Sequence, residues 1–408
     1  MRSPGKRLHH FDALRALTMV LILPVHALAL IGLRGGLSAV EASVFWTLHV
    51  FRMPLFFLVA GFFFALMIEC RDAAETVRNR ALRIGVPFVF SILFVVPPVT
   101  VCLGAISSRP YRPGTGTALG PLGDFYPSYL WFLWYLILLY AATLLLRTLL
   151  SHLPRLRERL QAAGGLLRGR LAPLALAVPC GLLLYRQPTW IAESTPGESF
   201  VPALDLLAYY GVFFFCGWAL QVTPGLREAI ERQPRRYALY AGMALPPALA
   251  LYLLQGEAAI GQGRWFHLLA LGLLALTAWS VVFALLGISR RYLSKPSPRL
   301  RYWSDASYWI YLSHFLPMAA IAAAIAAVGI PDGVRIAVLI GATALLICPA
   351  YGVFVRHSPI GRMLHGSRGT ARPSITHSAS KGRSASSLIS VSASSAAGSE
   401  PATTPTPA

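Results

Sequence analysis

The stretch that decides the fold is FDALRALTMVLILPVHALALIGL, from Phe11 to Leu33. It is long and apolar enough to cross a hydrocarbon core of about 30 Å, which takes about 20 helical residues. Arg15 and His26 stand eleven positions apart in it. That is about three turns and about 16 Å of rise, so both side chains look along one face. Asp12, three before Arg15, lies on the same stripe within pairing reach. Ionisable groups within hydrocarbon are rare and face a protein interior or a watery cavity, where they serve chemistry or transport. Two readings fit: Asp12 and Arg15 mark the cytoplasmic end of the span and His26 is a satisfied interior histidine, or the stripe lines a functional path. The run exceeds a signal-peptide core and is interrupted by Pro24 and His26, so it is read as a retained helix.

The whole chain repeats this character. Its 408 residues are 56% hydrophobic and only 13% charged, with a mean hydropathy of +0.59, whereas soluble domains carry about 25% charged residues. The expected fold is all-α and polytopic, with about ten transmembrane helices. They fall at roughly 11–33, 44–68, 82–106, 128–150, 171–186, 204–222, 237–255, 265–288, 303–328 and 334–356. The fifth is short and holds Pro173 and Pro179.

A net charge of +20 would suggest nucleic acid in a soluble protein, but its distribution argues topology instead. Arginine-rich connections hold Arg2, Lys6 and Arg7; Arg71, Arg78, Arg80 and Arg83; Arg155, Arg157, Arg159, Arg168 and Arg170; Arg227, Arg232, Arg235 and Arg236; and Arg290, Arg291, Lys295, Arg299 and Arg301. The alternate connections hold Arg34, then Arg109 and Arg112, then Arg186, Arg264 and Arg335. This is the positive-inside pattern for an even number of spans, with both termini cytoplasmic. A lipid bilayer is therefore the expected partner, and nucleic acid is not.

Residues 1–365 read as one transmembrane domain. Residues 366–408 turn to Ser, Ala, Thr and Pro and read as a disordered cytoplasmic tail. Long outward connections, Ser107 to Pro127 and Gln187 to Pro202, suit loops that lid a cavity. Cys70, Cys102, Cys180, Cys216 and Cys348 show no CxxC spacing, so neither zinc nor a disulfide framework is indicated. Pro24 should bend the first helix just before His26.

Counting residues gives depth. His26 is about 22 Å beyond Phe11, in the outer half of the membrane. His49 and Arg52, three apart on the inward-running second helix, fall about 8 and 12 Å below the outer surface, near that level. This is either a buried structural network or a reaction centre. On the cytoplasmic side Arg80 and Arg83, in R-A-L-R, share one helical face at about the depth of Arg15. Arginine's fork suits phosphate oxygens, yet any inward loop carries such charges. Trp131 is ordinary for an interface and is also able to stack on a sugar. His314, in S-Y-W-I-Y-L-S-H, lies about mid-membrane and suggests a polar interior. GxSxG, Walker and HExxH motifs are absent from the sequence, so the hydrolase, NTPase and zinc-peptidase readings lack their signatures.

The ordered series FDALRAL with His26, FRMPLFFLVAGF at Phe51 to Phe62, RALRIGVP at Arg80 to Pro87, LWFL at Leu130 to Leu133, ASYWIYLSH at Ala306 to His314 and RHSPIGR at Arg356 to Arg362 resembles the acyltransferase-3 family of membrane acyltransferases. Within it the series is most similar to the glucan biosynthesis protein C group. Where that family often has Ser-Gly-Phe, this chain has Ala60-Gly61-Phe62, so position 60 offers no hydroxyl. The resemblance implies transfer of an acetyl or succinyl group from cytoplasmic acyl-CoA to a hydroxyl of a periplasmic or envelope glycan, in a bacterial inner membrane. By that carry-over Arg15 and His26 are the paired first-helix residues, and Arg80 and Arg83 are the R-x-x-R element that holds the donor. Acyl-CoA and a glycan are then the substrates, with no tightly bound cofactor. His26 would be the general base and Arg52 an oxyanion partner, with direct transfer and an acyl-histidine both open. Asp12, His49, Trp131 and His314 would support the site. The rival classes are a glycan or acyl exporter, which also needs intramembrane charges but often shows an internal repeat, and the other large class of membrane O-acyltransferases.

Overall fold

The computed structural model describes residues 8–70, 72–107, 126–153, 167–187, 199–254 and 263–359, with a few positions between 155 and 165 and Gly361. The tail 366–408, the N-terminal basic residues, Arg71, Arg157, Arg159, Arg362 and most of the two long connections 107–127 and 187–202 lie outside the described residues. The described residues form helices joined by short turns. In order these are α1 His9–Val20, α2 Ile22–Gly35, α3 Ala39–Cys70, α4 Ala73–Arg80, a π turn Ala81–Gly85, α5 Val86–Phe94, α6 Val96–Ile106, a 3-10 turn Ser128–Leu130 and α7 Trp131–Ser151. There follow α8 Ala172–Leu184, α9 Leu204–Val222, α10 Leu226–Glu231, α11 Pro234–Leu253, α12 Arg264–Tyr292, α13 Pro298–Ser313, α14 Phe315–Ala324, α15 Asp332–Ala350 and a second π turn Tyr351–Val355.

Each of the ten expected stretches is helical over most of its length. Six spans are long and apolar enough to cross a membrane alone: His9–Gly35, Ala39–Cys70, Ser128–Ser151, Leu204–Val222, Arg264–Tyr292 and Asp332–Val355. The third expected span is bent by 48° between Phe94 and Val96 and makes a seventh if counted as one. Ala172–Leu184 and Phe315–Ala324 are apolar but short. The surface fits lipid: Leu345, Val353 and Phe354 are 77%, 71% and 70% exposed, a pattern that would be a liability in water. The chain is a multi-pass membrane protein.

Local chemistry sets the breaks. Pro24 has no N–H for the carbonyl of Val20, and the first span breaks at Leu21, one turn earlier. α3 opens on a capping box: the Glu41 carboxylate accepts from the Ser38 backbone N–H at 2.8 Å, and Ser38 Oγ accepts from the Glu41 N–H at 3.4 Å. Asp72 caps α4 through the Glu75 N–H at 2.8 Å. Ser297, followed by Pro298, caps α13.

α3 and α9 cross most closely where neither has a side chain. A Cβ on Gly61 would collide with the Phe214 carbonyl, and one on Gly217 would collide with the Leu58 carbonyl. Small residues allow this approach in helix pairs within lipid. Gly61→Ala is therefore expected to cost about 1–3 kcal/mol, as overpacking does. Gly104→Ala, with open space around it, should leave the thermal midpoint in detergent unchanged or raise it. Equal midpoints for the two variants would refute the close crossing.

Candidate active site

The first span and α13 run in the same direction, side by side. Asp12 accepts from Ser304 Oγ at 3.2 Å, Arg15 reaches Ser307 Oγ at 3.5 Å, and His26 Nδ1 meets His314 Nε2 at 2.6 Å. A continuous polar seam therefore runs through an otherwise apolar bundle. On α13 its members are Ser304, Ser307, Tyr311 and His314, spaced three, four and three apart, which is one helical face. Ser304, Ser307 and His314 are buried, so this face meets α1 and α2 and not lipid.

At one end of the seam Asp12 is buried and stands 4.0 Å from Arg15. The Arg15 guanidinium lies 5.8 Å from the Phe63 ring centre. Arg80 lies over two more rings, Phe64 at 5.8 Å and Tyr140 at 5.1 Å. Arg15 and Arg80 are both close enough to Tyr140 for their charges to act on its hydroxyl, so the two arginines do meet at one level.

Arg83 is arranged differently from expectation. Residues 81–85 wind as a π turn, which rotates the chain less per residue than an α-helix does, so Arg83 sits off the position that an α-helical spacing of three would give it. Arg80 and Arg83 are therefore offset from the single α-helical face that their spacing suggested. π turns inside helices are frequent at functional sites.

At the other end His314 is fully buried, and its Nδ1 lies 2.9 Å from the backbone oxygens of both Ile310 and Tyr311. The two imidazoles stack, with ring centres 4.8 Å apart and planes at 18°. Phe315 meets His26 edge-on at 4.9 Å. Arg52 is buried, and its charge acts on His26, His49 and His314. His49 stacks on Phe45 and keeps a buried Nδ1 without a hydrogen-bond partner among the described residues. His26, His49 and Arg52, which depth counting brought to similar levels, thus form one electrostatic group with His314.

Several neighbours were missed from sequence. Tyr129, on the 3-10 turn, donates to the Leu312 carbonyl at 2.9 Å, and Tyr311 donates back to the Tyr129 carbonyl at 3.1 Å. This clamp sets the turn beside His314, and its first residue, Ser128, has φ of 50°, a strained value for a residue with a side chain. Near Arg80, the Tyr308 hydroxyl and Asn79 Oδ1 are buried without partners among the described residues. Tyr308, Tyr140 and Arg80 act on one another electrostatically. The signal available in advance was the polar stripe of α13 at helical spacing.

Trp131 departs from its expected setting. It is buried among Phe57, Tyr135 and Tyr210, with ring centres 6.3, 5.7 and 5.3 Å away. It is a core side chain and presents no open face to a sugar. Among the described residues no three His, Cys, Asp or Glu side chains are grouped to hold a metal.

Residues 8–353 match the acyltransferase-3 domain. The chain is similar to glucans biosynthesis protein C from Escherichia coli K12, SMS-3-5 and O157:H7, each 25% identical over 332 residues, covering 76% of this chain and 82% of the relative. No solved structure matches. With the family's domain spanning both ends of the polar seam, the chain belongs to the acyltransferase-3 family and is a membrane acyltransferase.

Proposed function

We propose that the protein moves an acetyl or succinyl group from cytoplasmic acyl-CoA to a hydroxyl of an envelope glycan, across the inner membrane of a bacterium. The observation that carries this reading is the polar seam, with arginines and unpartnered polar atoms at one end and a histidine pair at the other. About ten spans with both termini cytoplasmic complete it. Three of the arginine-rich segments support that orientation, because His10, Arg227 and Arg290 all meet Glu231.

At the inner end Arg15 and Arg80, with Arg83 one π turn on, hold donor phosphates; guanidinium groups are suited to them. At the outer end His26 takes the proton of the acceptor hydroxyl as its oxygen attacks the thioester carbon. The C–O bond forms, the C–S bond breaks, and the proton passes from His26 to the departing thiolate. Arg52 lies where it can stabilise the transient oxyanion.

Mass spectrometry of envelope glycans from cells with and without the gene tests the reading. Loss of an ester-linked mass of 42 (acetyl) or 100 (succinyl) units, both simple formula masses and about as expected for such esters, supports it. Unchanged glycans refute it. Within the donor site Tyr308→Phe removes one unpartnered hydroxyl, worth about 1 kcal/mol when it bonds a ligand. The expected result is a KM for acyl-CoA raised about fivefold with kcat little changed. An unaltered KM would take Tyr308 out of the donor site.

A further inference from the structure

We propose that His314 is a positioning residue that fixes the tautomer of His26 and so presents His26 Nε2 as the proton acceptor. This rests on the reading of His26 as the base. Carbonyl oxygens only accept, so His314 Nδ1, 2.9 Å from those of Ile310 and Tyr311, must carry a proton. In a neutral imidazole the other nitrogen is then an acceptor. The 2.6 Å contact therefore requires His26 Nδ1 to donate to His314 Nε2. His26 Nε2 is left with its lone pair, and it has no hydrogen-bond partner among the described residues.

The roles of the two rings do not interchange. His314 is 0% exposed and both its nitrogens are engaged. His26 is only partly buried. The backbone beside His314 is set by a helix break: α13 ends at Ser313, and Pro317 offers no N–H to the Ser313 carbonyl. Phe315 and Tyr129 then wall the pair, Phe315 edge-on to His26 and Tyr129 at 90° to His314. A ring whose other nitrogen is held by a fixed acceptor keeps both its tautomer and its orientation.

The proton balance follows. As the acceptor oxygen attacks, its proton moves to His26 Nε2. The resulting imidazolium keeps its Nδ1–H on His314 Nε2. The same proton then leaves to the thiolate released as the C–S bond breaks. His314 gains and loses none.

The test uses the full-length protein in proteoliposomes. Thiol release from acetyl-CoA and from succinyl-CoA is measured with envelope glycans from cells lacking the gene as acceptor. His314→Leu is expected to lower kcat about tenfold or more, a mild case of the loss that a wrong tautomer causes in a triad base, while the donor KM moves less than about twofold. His314→Gln, whose amide oxygen accepts from His26 Nδ1, should recover most of the rate. Wild-type kcat in His314→Leu, or no recovery in His314→Gln, overturns the proposal. A measurement on the unmutated protein stands beside these: diethyl pyrocarbonate, which attacks unprotonated imidazole nitrogens, should modify His26 and spare His314 in peptide maps. Equal modification of both overturns the proposal. If His26→Ala keeps full activity, the reading of the base itself fails; if His26→Ala is inactive and His314→Leu is not, only the role of His314 fails.

Discussion

His26→Ala is expected to lower acyl transfer by at least about a hundredfold, since a positioned general base contributes about 10²–10⁴. The loss should fall on kcat, because His26 stands at the opposite end of the seam from the arginines proposed to hold the donor. Donor affinity should survive, and so should the fold. His26 is partly buried, and the variant removes one ring from a stack while Phe315 and Tyr129 still pack against His314. The checks are ester-linked acyl mass on the glycans, thiol release in proteoliposomes, and the thermal midpoint in detergent. Near wild-type transfer by a folded His26→Ala protein would remove His26 from the chemistry. Loss of transfer together with loss of folded protein calls for His26→Gln, which keeps bulk and hydrogen bonding but lacks a comparable base and should be folded and equally inactive.

The sequence made the first span and its stripe legible because both are local. Apolar length sets a membrane helix, and a period of 3.6 puts Asp12, Arg15 and His26 on one face. The break near Pro24 was legible for the same reason. Partners across the bundle were not. His26 and His314 are 288 positions apart, and nothing in either helix alone says which histidine faces which. Periodicity said that Arg80 and Arg83 share a face, but the π turn at 81–85 changes the register of the backbone hydrogen bonds, and that change leaves no trace in spacing. Trp131 was placed by depth, and depth cannot show that Tyr210 of α9 covers it. Span counting by apolar runs was coarse for a related reason. Breaks at Val95 and His314 divide two runs into helices that are short by themselves.

The second large effect is expected at Glu231, away from the His26–His314 pair. Its carboxylate is 1% exposed and takes His10 Nε2 at 3.0 Å, Arg290 at 2.5 Å and Arg227 at 3.9 Å. Those partners come from α1, α12 and α10, so one carboxylate ties the start of the first span to two later elements. The packing around it is close, since a Cβ on Gly287 would press on the Glu231 carbonyl and the ring of Pro234. Glu231→Leu leaves two guanidinium groups and a histidine without their shared anion. Breaking a buried pair costs about 3–5 kcal/mol, and the partial exposure of Arg227 and Arg290, 26% and 38% of their side chains, places this case at the lower end. The thermal midpoint and the yield of folded protein should therefore fall in Glu231→Leu. The double variant Glu231→Leu with Arg290→Leu should recover part of the loss, because it removes a cation along with its anion. A single variant as stable as the parent would show that the start of the first span is held by apolar packing alone. Because Arg15 lies about one turn beyond His10 on α1, loosening that end should also raise the donor KM more than it lowers kcat, the reverse of the signature expected at His26.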